Sequence, residues 1–204
     1  MSHLLVVRSS ANGANSVSNT LIDGFLAAAR AADPAIEVTE RNLDAEPVPH
    51  VQSATLAGIG RPAPETEAAQ PTRALSDALI AETQAADLIV IGAPMYNFGI
   101  PTTLKSWFDH VLRAGATFQY TAEGPEGLLK GKRALLVVAR AGAYSDGPAA
   151  AADFQIPYLR QLLAFVGITD VDVVLAEGLA FGEEAAAASI GAATAALEEK
   201  ARAL

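Results

Sequence analysis

The sequence predicts an α/β fold: a doubly wound, five-stranded parallel sheet with helices on both faces. Two observations predict it. Five short apolar runs alternate with helix candidates along the 204 residues, and strand–helix alternation is the pattern of a parallel sheet built by crossovers. Three of the runs are continuously apolar rather than alternating, as strands covered on both faces are. The whole chain, 1–204, reads as one domain.

The first run, "HLLVV" (3–7), leads through "RSSANGANSVSNTL" (8–21) into a helix over 18–32. The second run is "IEVTE" (36–40), and the segment 43–71 that follows carries prolines at 47, 49, 62, 64 and 71. That segment is expected to be a long loop covering the site. A helix over 72–86 precedes the third run, "DLIVIGAP" (87–94). The helix over 101–113 is the clearest, because Leu104, Trp107, Phe108, Val111 and Leu112 share one stripe at helical spacing. Pro101 suits its first turn and Gly115 follows its end.

Residues 114–131 read as a second long loop, rich in glycine, with a Gly-Pro pair and two aromatics. The fourth run, "RALLVVA" (133–139), a helix over 153–166, the fifth run, "VDVVLA" (171–176), and a helix over 183–203 complete the pattern. Alanine-rich 185–196 carries strong helix propensity. Sheets of this kind bind ligands at the carboxyl ends of their strands, where the winding reverses. A strand order of 2-1-3-4-5 is expected, which makes the loops after the first, third and fourth strands the candidate walls of a site.

Composition narrows the function. Apolar residues are 51% of the chain and charged residues 18%, a globular balance. The net charge of −9, with no basic run, weighs against nucleic acid and anionic membrane surfaces as partners. The absence of cysteine excludes disulfides, thiolate metal sites and cysteine nucleophiles, and it suits a cytoplasmic protein. No apolar stretch approaches the ~20 residues that span a bilayer, and no signal-like segment opens the chain. His3, His50 and His110 are far apart in sequence and form no HExxH pattern, so no metal site is expected.

A loop that follows a strand and enters a helix is an anion site, because free N–H groups point outward there and the helix dipole favours negative charge. Residues 8–21 contain neither GxGxxG nor GxxxxGK[ST]. Ser10, Ser16, Ser18 and Asn19 instead supply neutral hydroxyl and amide groups, suited to a terminal phosphate monoester. The same residues also fit plainer roles: Ser16 or Ser18 as a helix cap, Asn12-Gly13 as a turn. After the third run, "APMYNFGIP" (93–101) offers backbone donors and ring faces, which a flat heterocycle with a polar edge, such as a flavin, requires. Tyr96 and Phe98 taken singly also fit ordinary packing. After the fourth run, "ARAGAYSDGP" (139–148) has a glycine, Gly142, that permits close backbone approach, and an Asp146-Gly147-Pro148 turn.

Together these stretches resemble the FMN-dependent NADH azoreductases, a flavodoxin-like family of quinone and azo-dye reductases. The resemblance covers nearly the whole chain. It rests on "RSSANGANSVSNTL", "APMYNFGIPTTLKSWFDHVLRAGATFQY", "GPEGLLKGK" and "FVGITDV". It implies that Ser10, Ser16, Val17 and Ser18 hold the FMN phosphate. It implies that Met95, Tyr96, Asn97 and Phe98 line the ribityl chain and ring, and that Ala139, Arg140, Ala141 and Gly142 form a third contact. Backbone N–H groups around Asn97 and Gly142 are candidates for stabilising negative charge on the reduced flavin. The family pattern Ser-Arg-Gly-Gly is replaced here by "ARAG", which removes a hydroxyl at Ala139 and adds a Cβ at Ala141.

The resemblance further implies ping-pong transfer of hydride from NADH to FMN and then to quinones or aromatic azo compounds. No acid–base side chain is required for that step. A homodimer with each site at the interface is implied. Phe118, Tyr120 and Phe165 become substrate-facing wall residues, and Arg61 a gate on the long loop; packing and solvation are the plainer readings of the same four. NADH is favoured over NADPH because, apart from Arg8 and Arg140, few loop cations suit a 2′-phosphate. Two rival classes are a flavodoxin-type single-electron carrier acting on a protein partner and a non-catalytic module without flavin.

Overall fold

The computed structural model describes residues 3–204. The chain runs β1 (His3–Arg8), α1 (Val17–Ala32), β2 (Glu37–Asn42), α2 (Gln70–Ala85), β3 (Leu88–Pro94), α3 (Thr102–Val111), β4 (Phe118–Thr121), β5 (Gly124–Gly127), β6 (Arg133–Ala139), α4 (Ile156–Phe165), β7 (Asp170–Ala176) and α5 (Glu183–Arg202). Five strands form one parallel sheet in the order β2-β1-β3-β6-β7. This is the expected 2-1-3-4-5 order, with the winding reversing between β1 and β3.

Alternate residues of the inner strands face opposite sides, and both sides are buried. Leu5, Val7, Ile89, Ile91, Leu136 and Val138 pack against Leu79 of α2, Leu104, Trp107 and Phe108 of α3, and Leu159 and Leu163 of α4. Leu4, Val6, Val90, Leu135 and Val137 pack against Leu21, Ile22 and Phe25 of α1 and Ala193 and Leu197 of α5. The edge strand β2, "EVTERN", has no fully buried residue and accordingly carries charge. No helix among the described residues is long and apolar enough to cross a membrane.

Two expectations need correction. Residues 114–131 are not an open loop: β4 and β5 pair as an antiparallel hairpin, with Phe118 opposite Gly127. Its turn, Ala122-Glu123, lacks the glycine or asparagine that marks tight hairpins. It is held instead by Thr121 Oγ1, which accepts from Glu123 N and donates to Gly124 O. The helix expected over 153–166 starts at Ile156, because Asp153 Oδ1 accepts from Gln155 N and Ile156 N and holds the preceding residues outside the helix. The segment 43–71 contains short 3-10 turns at Leu56–Ile59 and Glu67–Ala69. His110 Nε2 bonds Pro49 O at 3.0 Å, His50 Nδ1 bonds Ser106 Oγ at 2.8 Å, and Arg73 donates to Gly60 O and Pro62 O. These bonds fasten the segment to α2 and α3.

Candidate active site

Ser9 anchors the first loop to β3, with its N–H and Oγ both donating to Gly92 O at 3.3 and 2.6 Å. The chain turns through Asn12, whose carbonyl accepts from Asn15 N at 3.0 Å, and enters α1 at Ser16. Ser16 caps that helix: its Oγ accepts from Asn19 N at 3.2 Å and lies 3.2 Å from Ser18 Oγ. Both serines are buried, and the first turn of α1 carries no acidic residue. The N–H groups of Val17 and Ser18 lie beyond the reach of any helical carbonyl. Capping and anion binding are therefore compatible roles of one structure. Arg8 contributes no charge to it, because its guanidinium turns to Asp23 (2.7 Å), Glu40 (3.0 Å) and Asn19 O (3.1 Å).

The second loop begins where Met95 N donates to Ala139 O at 2.9 Å. Tyr96 and Gly99 then exchange backbone hydrogen bonds of 3.0 and 3.1 Å around Asn97 and Phe98, whose φ values are +47° and +69°. Two positive φ values in succession make a type I′ turn, a conformation that is strained for a bulky residue such as phenylalanine. Among the described residues no protein acceptor takes the Asn97 or Phe98 amide. Tyr96 reaches back across the cleft, its hydroxyl accepting from Ala11 N at 3.0 Å.

In the third loop the carbonyls of Arg140, Ala141 and Gly142 accept from Leu179, Ala180 and Gly178 at 3.2, 2.9 and 3.0 Å. The amides of Ala141 and Gly142 donate to no protein acceptor among the described residues. A Cβ on Gly142 would lie 3.0 Å from the Tyr144 ring, so the close approach here is Tyr144 itself. The Tyr144 ring also meets the edge of Phe98, centroids 6.0 Å apart.

These loops enclose a cleft of about 460 Å³ at the carboxyl end of the sheet, within the ~300–1,000 Å³ of small-molecule sites. It brings together Ser10, Ser16, Val17, Ser18, Met95, Tyr96, Ala139, Arg140 and Ala141. Asn97, Phe98 and Gly142 stand beside this lining rather than in it. Arg140 offers the cleft main chain only, because its side chain is wholly buried; it is not the available loop cation that its place in the sequence suggests. Both departures, Ala139 and Ala141, line the cleft, and the loop makes its backbone bonds with alanine at each.

Sequence reasoning missed Leu179 and Ala180, which wall the cleft from the loop after β7. Their small apolar side chains give no chemical signal; the glycine at 178, with φ +71°, is the one mark of a turn there. Arg61, Phe118, Tyr120 and Phe165 lie away from the cleft of this chain. Phe118 is buried against Phe165, with centroids 4.6 Å apart, and Tyr120 stands edge-on to it at 5.6 Å. Arg61 is exposed and its Cγ lies along Gly115.

A family model described as flavodoxin-like fold matches residues 2–201. The FMN-dependent NADH:quinone oxidoreductase of Hyphomonas neptunium is 57% identical over 190 residues, which are 93% of this chain and 91% of that protein. The chain belongs to this flavodoxin-like family. Solved structures agree. The azoreductase of Bacillus anthracis strain Sterne superposes with a TM-score of 0.92 at 33% identity, covering all of both chains. An FMN-dependent NADH-azoreductase of Bacillus anthracis strain Ames Ancestor, solved in complex with FMN, superposes with a TM-score of 0.89 at 27% identity over 98% of each chain. In this flavodoxin-like chain the cleft can hold a phosphate monoester by neutral donors at α1 and a flat ring between the second and third loops.

Proposed function

We infer that the protein is an FMN-dependent NADH:quinone oxidoreductase with azoreductase activity, a single-domain subunit of a cytoplasmic homodimer. The observation that carries this reading is one meeting point. The capped start of α1, with buried hydroxyls at Ser16 and Ser18 and no competing carboxylate in its first turn, opens into the same cleft as 94–96 and 139–141. The names and FMN complex of the relatives agree with it.

When bound, FMN would supply the two-electron redox chemistry between NADH and a quinone or azo compound. The chain binds and orients. Ser10, Ser16, Val17 and Ser18 hold the phosphate; Met95, Tyr96, Asn97 and Phe98 line the ribityl chain and ring. The unbonded amides of Asn97, Phe98, Ala141 and Gly142 serve the polar rim. The two titratable residues of the lining are Tyr96, bonded to Ala11 N, and Arg140, ion-paired beneath the wall. Neither is placed as a general base, in keeping with hydride chemistry that needs none.

NADH is favoured as donor. Arg8, Arg113 and Arg140 all face carboxylates, which leaves them poorly suited to a 2′-phosphate. The dimer is supported by exposed aromatics, Phe98, Tyr120 and Phe154, that a second copy would cover. There Phe118, Tyr120, Phe165 and Arg61 would complete the partner's site.

The test is a visible spectrum after the protein has taken up FMN and been desalted, followed by NADH without air. A retained flavin band that bleaches with NADH, and returns with a small quinone, is expected. A retained band that NADH leaves oxidised would favour the electron carrier. No retained band would reject the reading.

A further inference from the structure

The side chain beneath the cleft wall has an arrangement that FMN contacts alone do not explain. Arg140 follows β6, and its guanidinium is turned into the protein with no exposed surface. A buried charge is costly unless fully partnered. Its Nε donates to Gln155 Oε1 at 3.0 Å, and its terminal nitrogens lie 2.7 Å from Asp153 Oδ2 and 3.6 Å from Glu177 Oε2. Gln155 is also fully buried, and its Nε2 donates to Ala93 O at 2.9 Å. Ala93 lies two residues before Met95. One amide thus joins the end of β3 to the loop after β6.

Glu177 extends the connection. It accepts from Tyr144 N at 2.9 Å and from Ser145 Oγ, and the Tyr144 ring lies against Gly142 and Phe98. Arg140 therefore touches or reaches every wall of the cleft except the first loop. Buried ion pairs add little net stability compared with well-packed apolar residues. Their directional bonds do fix relative placement, and a planar guanidinium fixes it in several directions at once.

We propose that Arg140 and Gln155 are positioning residues for FMN, setting the spacing between the 93–98 wall and the 139–142 wall through the Arg140–Gln155–Ala93 connection. The inference rests on the reading of the cleft as an FMN site. Gln155→Met keeps the volume and loses both bonds. Gln155→Glu keeps an acceptor for Arg140 and loses the donor to Ala93 O. Arg140→Lys keeps the charge and loses the fork.

The experiment measures FMN dissociation constants by fluorescence titration of the apoprotein, the absorption spectrum and midpoint potential of the bound flavin, and the Tm of each apoprotein. Wild type binding FMN establishes the underlying reading; wild type failing to bind rejects it and the inference with it. For the variants, FMN binding about tenfold weaker is expected, the equivalent of one lost buried hydrogen bond. An altered flavin spectrum or potential should accompany it. Gln155→Glu is expected to recover apoprotein Tm relative to Gln155→Met without recovering affinity. Wild-type affinity, spectrum and potential in the variants would overturn the proposal. So would affinity that follows Tm across the set, with Gln155→Glu restoring both. If Gln155→Met does not fold, Gln155→Glu and Arg140→Lys decide the matter by the same readouts.

Discussion

Gly127 lies main chain against main chain on Gly167: a Cβ on Gly127 would sit 2.1 Å from Gly167 N and 2.2 Å from Val166 C. The contact joins the end of β5 to the turn after α4, and Leu129 N continues it by donating to Val166 O at 2.8 Å. Gly127→Ala is expected to destabilise the protein by about 3 kcal/mol, the upper end for overpacking, because the obstacle is backbone. Gly167→Ala, with φ +98° and its nearest neighbour at 3.1 Å, should cost about 1–3 kcal/mol. Urea unfolding of the FMN-free variants measures both.

The Tyr96–Gly99 turn makes a second prediction. Asn97 holds a φ of +47°, which asparagine tolerates and β-branched residues do not. Asn97→Gly should stay within about 0.5 kcal/mol of wild type, and Asn97→Val should lose about 1–3 kcal/mol. Equal Tm values for the two would show that the left-handed conformation is not retained in solution.

Ser16 and Ser18 should separate. Ser16 caps α1, so Ser16→Ala is expected to cost about 1 kcal/mol in the apoprotein as well as FMN affinity. Ser18 makes no capping bond, and Ser18→Ala should weaken FMN binding about tenfold with little change in Tm. Calorimetry of FMN binding beside thermal unfolding checks the split.

His110 gives a pH dependence. Burial pushes its imidazole below the ordinary 6.5, and the weaker opposing effects are its bond to Pro49 O and the charge of Asp109. Because the folded value is depressed, the unfolded chain takes the proton first as pH falls. The stability tied to neutral His110 is whole above 6.5 and is lost as pH drops from there through the lowered folded value. Between about pH 7 and about pH 5, wild type should lose unfolding free energy more steeply than His110→Gln. Parallel slopes would sink the assignment.

Much of this was legible before the structure, for reasons that differ by element. The runs at 87–94 and 133–139 announce themselves as β3 and β6 because burial on both faces leaves no polar position after Asp87 in the one or after Arg133 in the other. The serines at 10, 16 and 18 are legible because a strand-to-helix loop has few uses for so many neutral donors. The hairpin was not legible: its strands are four residues each, and only Phe118 among the β4 residues is buried. Arg140 was misread because a cation in a loop gives no sign of which way it turns. Its partners Asp153 and Glu177 are remote in sequence and become neighbours only through the order of β6 and β7.

The neutral cradle around Ser16 and Ser18 has an electrophoretic consequence. The serines and amides that line it can neither take up nor release a proton near neutral pH, so the complex gains the whole charge of a bound phosphate monoester. Such a group carries about −1.5 to −2 at neutral pH, added to a chain already at −9. Loaded and empty molecules should therefore travel as separate bands in a native gel, the loaded form faster toward the anode, so that occupancy can be read without any colour.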